Sequence, residues 1–452
     1  MKKNITYTVL VVFMMAAIAF IWIKYSGTKT KKEQQVYALL QRKGNMAKAP
    51  EWPVVKENSI RLQKMIEVNP GDKKSLVALA NLCIMEARAT GNFAYYDAAA
   101  MKYIDKVLKT EPHHFEALTL KALIQMSQHH FSEGLITAQT AAADHPYNAF
   151  VQGVLVDGYV ETGKYDSAVA AAEKMMSIRP DLRSYARASY LREIYGDIAG
   201  AIEAMQLAIQ AGAPGDEATE WCRVQLGKLY EHNGDVKNAA MQYNISLSSR
   251  PGYAHALAGM ARIAAAEKNY TQAIDYYTQA AAETNSFTYR EELADVYVLA
   301  GQKEKAESLY ASCIQQMEQA ATAAKTDESL GHYTDQELAR AYIKTGNYSK
   351  ALEYALAEYN RRPANIEVNE TLAWVYYKQG GYAKALPYIQ AALKTNSSNP
   401  SLLCRAGLIF MQAGAGRDKS VELLTAALKN NPNILESIKT EGSLALQQLK
   451  KI

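Results

Sequence analysis

A chain of 452 residues that is 49% hydrophobic and 21% charged can bury a core. That excludes global disorder and leaves either two or three ordinary domains or one long repeat array. A formal net charge of +4 is too weak for the concentrated basic face of a nucleic-acid binder, so no nucleic-acid partner is expected.

Tyr is abundant, 30 against 8 Phe. This suits thin, two-layer structures in which a ring is buried while its hydroxyl reaches a surface. Cys83, Cys222, Cys313 and Cys404 are widely spaced and form no CxxC pair. In a linear array neighbouring cysteines would stand on the order of 20 Å apart, against the roughly 7 Å that a disulfide spans. They read as small buried hydrophobes.

Residues 1–4 form a short basic N-terminus. Lys2 and Lys3 precede an apolar run from Ile5 to Ile23. As a helix this run spans roughly 28 Å, close to the ~30 Å hydrocarbon core. Trp22 and Tyr25 stand where an interfacial aromatic belt would. A cleaved signal peptide is the rival, with Ala17-Ile18-Ala19 as its small-x-small site, but Phe20-Ile21-Trp22-Ile23 carries the run past that site. The expectation is one transmembrane helix at 5–25, an uncleaved anchor, and a single-pass membrane localisation. Lys24, Lys29, Lys31 and Lys32 favour a cytoplasmic bulk, whereas the short basic leader favours export, so both sides stay open.

Residues 26–53 are polar and lysine-rich, a tether, and 54–72 hold a leading helix that ends at Asn69-Pro70-Gly71. From Lys73 to about residue 433 one pattern recurs with a period near 34 residues. Pro112, Pro146 and Pro180 close successive units. Midway through each unit a glycine turn, such as Gly163-Lys164-Tyr165, Gly234-Asp235 or Gly346-Asn347-Tyr348, separates two helices. A small residue then opens the second helix: Ala168, Ala201, Ala239, Ala273, Ala306, Ala351, Ala385. In the clearest copy, Leu226, Gly227, Tyr230, Ala239, Tyr243 and Pro251 interleave large and small side chains, as two closely packed antiparallel helices require.

Those positions resemble the tetratricopeptide repeat (TPR) family, as do Leu338, Ala339, Tyr342, Ala351 and Pro363, and Leu372, Ala373, Tyr376 and Ala385. The resemblance implies an all-α, right-handed superhelical solenoid of about nine to ten helix pairs over 73–433. The pattern is irregular at 92–99, where FAYYD reads as an insertion, and at 314–331, where an extended or kinked helix is expected. Residues 434–452 read as a C-terminal cap helix.

The family's ligands lie in the concave groove, lined by the first helix of each repeat. Carried onto this chain, that rule marks Tyr190, Glu193, Trp221, Lys228, Glu231, His255, Arg262, Glu291 and Asp295, and beyond them Arg340, Lys344 and Trp374. Trp221 stands out, because a large aromatic at an inward-facing helix start has little structural purpose. Packing against the preceding loop is its rival role, and any solvated helix face carries charges of this kind. The Lys/Asn pairs with which some relatives clamp a terminal carboxylate are missing: Thr119 and Leu123, Gly153 and Asp157, and Val224 and Lys228 stand at those positions.

No HExxH, P-loop or GxSxG motif occurs. His113-His114 and His129-His130 are the histidine pairs, and adjacent helical residues diverge by about 100°, too far to chelate. No catalytic residue, metal or cofactor is therefore expected. The reading is a non-enzymatic, membrane-anchored scaffold or adaptor that binds a protein or peptide in its groove, as in the assembly of a membrane or envelope complex. The alternative is a structural or oligomerising subunit that uses the convex face or the ends. A metal-binding or enzymatic protein is the least favoured reading.

Overall fold

The computed structural model describes residues 14–17, 20, 37–326, 331–429 and 436–451. The chain forms two compact units, Met1–Gln41 and Arg42–Ile452. In the first, residues 14–17 are helical. No helix among the described residues is long and apolar enough to cross a membrane. A span needs about 20 consecutive apolar residues in one helix, and the described part of 5–25 supplies only 14–17 and 20. The expected single-pass anchor, with its membrane localisation and membrane contact, is corrected accordingly. The remainder of 5–25 lies outside the described residues.

The second unit is all-α among its described residues. A short 3₁₀ turn (Gly44–Lys48) leads into α1 (Trp52–Val68). Ten helical hairpins follow. They are α2 (Lys73–Thr90) with α3 (Phe93–Thr110), α4 (Phe115–Ser127) with α5 (Phe131–Asp144), and α6 (Ala149–Glu161) with α7 (Tyr165–Ile178). Next come α8 (Leu182–Ile194) with α9 (Ile198–Gln210), α10 (Glu217–His232) with α11 (Val236–Ser249), and α12 (Ala254–Ala266) with α13 (Tyr270–Glu283). The last four are α14 (Phe287–Leu299) with α15 (Lys303–Thr326), α16 (Asp335–Lys344) with α17 (Tyr348–Arg361), α18 (Ile366–Lys378) with α19 (Tyr382–Ala392), and α20 (Pro400–Gln412) with α21 (Arg417–Lys429). Helix α22 (Glu436–Lys451) packs on the final pair through Ile438, Ala445 and Leu449.

The α10–α11 hairpin shows how the sequence makes each unit. Gly234 takes φ 77°, a left-handed conformation that ends α10. The Asp235 amide then donates back to the Tyr230 carbonyl (2.8 Å), and the Asp235 carboxylate caps α11 by accepting from the Asn238 amide (3.1 Å). Ala239 and Tyr243 are fully buried. A Cβ on either Gly227 or Gly259 would overlap the Tyr243 ring, so both glycines are there to admit it. The alanines that open the other second helices are buried as well, Ala168, Ala273 and Ala385 among them.

Two irregular stretches have a physical account. FAYYD opens α3, and the first hairpin is simply longer, with 18 residues in each helix. Helix α15 runs 24 residues without a break.

The feature that most shapes the molecule is contact between successive turns of the solenoid. Hydrogen bonds join residues 194 to 205 positions apart, which is about six repeats. The Asn285 amide and the Thr284 hydroxyl donate to the Thr90 carbonyl (both 3.2 Å). The Tyr333 amide donates to the Gln128 carbonyl (3.1 Å). Arg362 reaches Glu161 (2.5 Å), and the Tyr165 hydroxyl accepts from the Ile366 amide (3.0 Å). The groove is thereby shut along its side.

Glu51 is one of these staples. It accepts from Arg42 and from Arg250, each at 2.9 Å, the latter 199 residues away. Partial burial opposes its ionisation, but the hydrogen bonds from Arg250 and Arg42 prevail and hold the carboxyl at about 2 instead of 4.5. A depressed carboxyl pKa stabilises the fold above the unfolded value, and that contribution fades as pH falls from about 4.5 towards 2. Glu51→Gln should therefore lower the Tm by a constant amount above pH 5, with the difference vanishing near pH 2. Thermal melts of both proteins across that range check this, and a pH-independent difference would refute it.

Candidate functional site

Two adjoining, partly open cavities line the interior of the solenoid. One, of about 740 Å³, is walled by α8, α10, α16 and α18 and includes Tyr190, Glu193, Lys228, Arg340, Lys344 and Trp374. The other, of about 630 Å³, is walled by α2, α10, α12 and α14 and includes Arg88, Lys228, His255, Arg262, Tyr289 and Glu292. Lys228 lines both. First helices supply most of these walls, because their small-residue face packs on the second helix and the opposite face is left to the interior.

Most interior charges are already paired across neighbouring repeats. Arg262 donates to Glu231 (3.0 Å) and to the Tyr243 hydroxyl (3.2 Å), and Tyr243 itself donates to Glu231 (2.7 Å). Glu231 is 2% exposed, so its role is to hold Arg262 and Tyr243. Lys344 bridges Glu291 (3.0 Å) and Asp295 (2.8 Å). Glu193 meets His232 at 3.0 Å. Burial pushes His255 down to about 4, helped by Lys228, Arg88 and Arg262, so the neutral ring accepts from the Tyr289 hydroxyl (2.5 Å). Trp374 stacks on Tyr377 under Lys378 and Arg405.

Lys228 differs from these. It has no hydrogen-bond or ion-pair partner among the described residues, and burial followed by the neighbouring Arg262 pushes its ammonium pKa down. Arg88 also faces a cavity without such a partner among the described residues.

The structure thus brings Tyr190, Glu193, Lys228, His255 and Arg262 to the cavity walls. Glu231, Glu291 and Asp295 sit behind them as ion-pair partners. Trp221 lines neither cavity: like Leu182, Tyr185 and Ile202, it packs against the core of the α8–α10 region. Its indole packs in a seam between hairpins, close to the packing role that the sequence offered as the rival to groove binding. Arg88 and Glu292 were missed. Arg88 reaches the site only because the solenoid's next turn comes round to it, and nothing in the local sequence signals that. One group among the described residues could hold a metal ion, His129, His332 and Glu337, and it lines neither cavity.

The tetratricopeptide-repeat family model matches residues 224–287 and 370–433. The all-α helical-repeat solenoid around those segments matches the tetratricopeptide-repeat fold. Among solved structures the chain is similar to TTC0263, a thermophilic TPR protein of Thermus thermophilus, at 20% identity over 43% of this chain and 97% of that one, with TM-score 0.37. It is similar to human IFIT1, solved as a dimer with PPP-AAAA, at 15% identity over 68% and 72% of the two chains, with TM-score 0.43. It is also similar to a tetratricopeptide repeat protein from Parabacteroides merdae ATCC 43184, at 18% identity over 59% and 98%, with TM-score 0.34. Comparison with curated proteins gave no match.

Proposed function

We propose that the chain is a non-enzymatic scaffold that holds a protein or peptide segment inside the solenoid, with an acidic group of that segment against Lys228. The observation that carries this reading is the half-buried Lys228, which lines both cavities and has no hydrogen-bond or ion-pair partner among the described residues. Glu292, Glu231 and Glu193 only partly offset the desolvation of its ammonium, and a ligand carboxylate would relieve the remaining cost. Tyr190, 40% exposed, supplies rigid aromatic surface in the larger cavity.

The test is to select peptides from a random pool on the purified protein and measure their affinity for variants by fluorescence anisotropy. Lys228→Ala should weaken the selected peptides about 30-fold or more, the effect of removing one partner of a desolvated charge pair. It should not lower the Tm, because Lys228 makes no hydrogen bond or ion pair within the described fold and its burial is itself costly. Equal affinity for the wild type and Lys228→Ala would overturn the reading. Arg262→Glu is a poorer probe, because it would strand the buried Glu231 and perturb folding as well as binding.

A further inference from the structure

The turn between α4 and α5 meets the connection between α15 and α16, 204 residues further on. His129 adopts φ 61° where other hairpins place glycine, and it projects its ring at the next turn of the solenoid. His129 and His332 lie with ring centroids 4.1 Å apart. One nitrogen of each ring and one carboxylate oxygen of Glu337 fall within 4.8 Å of one another. Glu337 Oε2 is shut off from solvent and has no hydrogen-bond partner among the described residues. Three lone-pair donors from two distant parts of the chain therefore converge without satisfying one another.

We infer that His129, His332 and Glu337 form a binding site for a divalent transition metal of the zinc(II) class, joining successive turns of the solenoid. Two imidazoles and one carboxylate are an N,N,O donor set that such ions favour, and three protein ligands leave a fourth position open. His129 Nδ1 lies 2.9 Å from the Tyr333 carbonyl oxygen. If Nδ1–H is kept on that carbonyl, the ring must present Nε2 to the ion, the arrangement that orients metal-bound imidazoles. A histidine–glutamate ion pair is the competing explanation of the cluster, but His129 Nδ1 stands 3.7 Å from Glu337 Oε1, beyond hydrogen-bond distance. The nearby guanidinium groups do not bar a cation, since Arg361 is paired with Asp335 and Glu358, and Arg362 with Glu358 and Glu161. A tetrahedral site needs its ligand atoms roughly 3.4 Å apart, given metal–ligand bonds of about 2.0–2.1 Å, so binding would draw the two turns slightly together.

The experiment is calorimetric titration of zinc(II) into the chelator-treated full chain, repeated with His332→Gln, Glu337→Gln and a His113→Ala/His114→Ala control. One equivalent should bind the wild type and raise its Tm. Changes to groups that merely orient a ligand weaken metal affinity roughly 10–100-fold, so loss of a ligand should cost about 100-fold or more, with the control unchanged. Cobalt(II) absorption of the wild type gives a second readout that needs no variant: a tetrahedral spectrum supports the site. Absence of both zinc binding and that spectrum, or zinc affinity unchanged in His332→Gln and Glu337→Gln, would overturn it.

Discussion

Arg362→Ala lowers the stability of the solenoid by about 3 kcal/mol and expands it. Breaking a buried ion pair costs about 3–5 kcal/mol, because the remaining charge is left in a low-dielectric site. Arg362 is nearly buried and donates to Glu358 (2.5 Å), itself 2% exposed, and to Glu161 on the neighbouring turn (2.5 Å). Its guanidinium also covers the Phe131 ring at 4.3 Å. Glu358 keeps Arg361 as a partner, which places the loss at the lower end of that range. Glu161→Gln should cost less, within about 1 kcal/mol, because that carboxylate is one-third exposed and Arg362 keeps Glu358 as a partner. Urea melts give the stabilities, and small-angle scattering reports the expansion. An Arg362→Ala protein with unaltered stability and radius of gyration would show that the turn-to-turn contacts do not hold the solenoid shut.

Tyr243→Ala costs about 4 kcal/mol, and Tyr243→Phe about 1–2 kcal/mol. The first removes a fully buried ring and opens a cavity between α10, α11 and α12, the kind of loss that costs roughly 3–5 kcal/mol for large aromatics. The second keeps the ring against Gly227 and Gly259 and deletes only the hydroxyl. Glu231 then loses one of its donors but retains Arg262, so the cost is that of one imperfectly satisfied buried group. The ratio of the two losses is the informative quantity. If Tyr243→Phe destabilises as much as Tyr243→Ala, the hydroxyl network governs this hairpin and ring packing does not.

The repeat architecture was legible because its causes are local. Gly234 ends a helix, Ala239 and Gly227 let two helices approach, and Tyr243 fills what they leave, all within one 34-residue unit. Lys228 and Arg262 were legible as interior residues for the same reason: one repeat apart, they share a helix face. What brings Arg88 to Lys228, or His332 to His129, is the pitch of the whole array. That pitch accumulates from small rotations at each hairpin, and no short window of sequence contains it. Trp221 is the opposite case, a residue that the sequence left open between groove and packing. Its position in the repeat suggested the groove, but helix α10 begins a turn earlier, at Glu217, and its N-terminal segment packs against the preceding hairpin.

The central claim is that the partner sits inside the closed solenoid. A photo-crosslinking amino acid placed at Tyr190, in the cavity wall, tests it against the same probe at Tyr147, which is 80% exposed and lines neither cavity. With a selected peptide bound, the account predicts cross-linking from position 190 that Lys228→Ala abolishes, and none from position 147. Cross-linking from 147 alone, unaffected by Lys228→Ala, would contradict it.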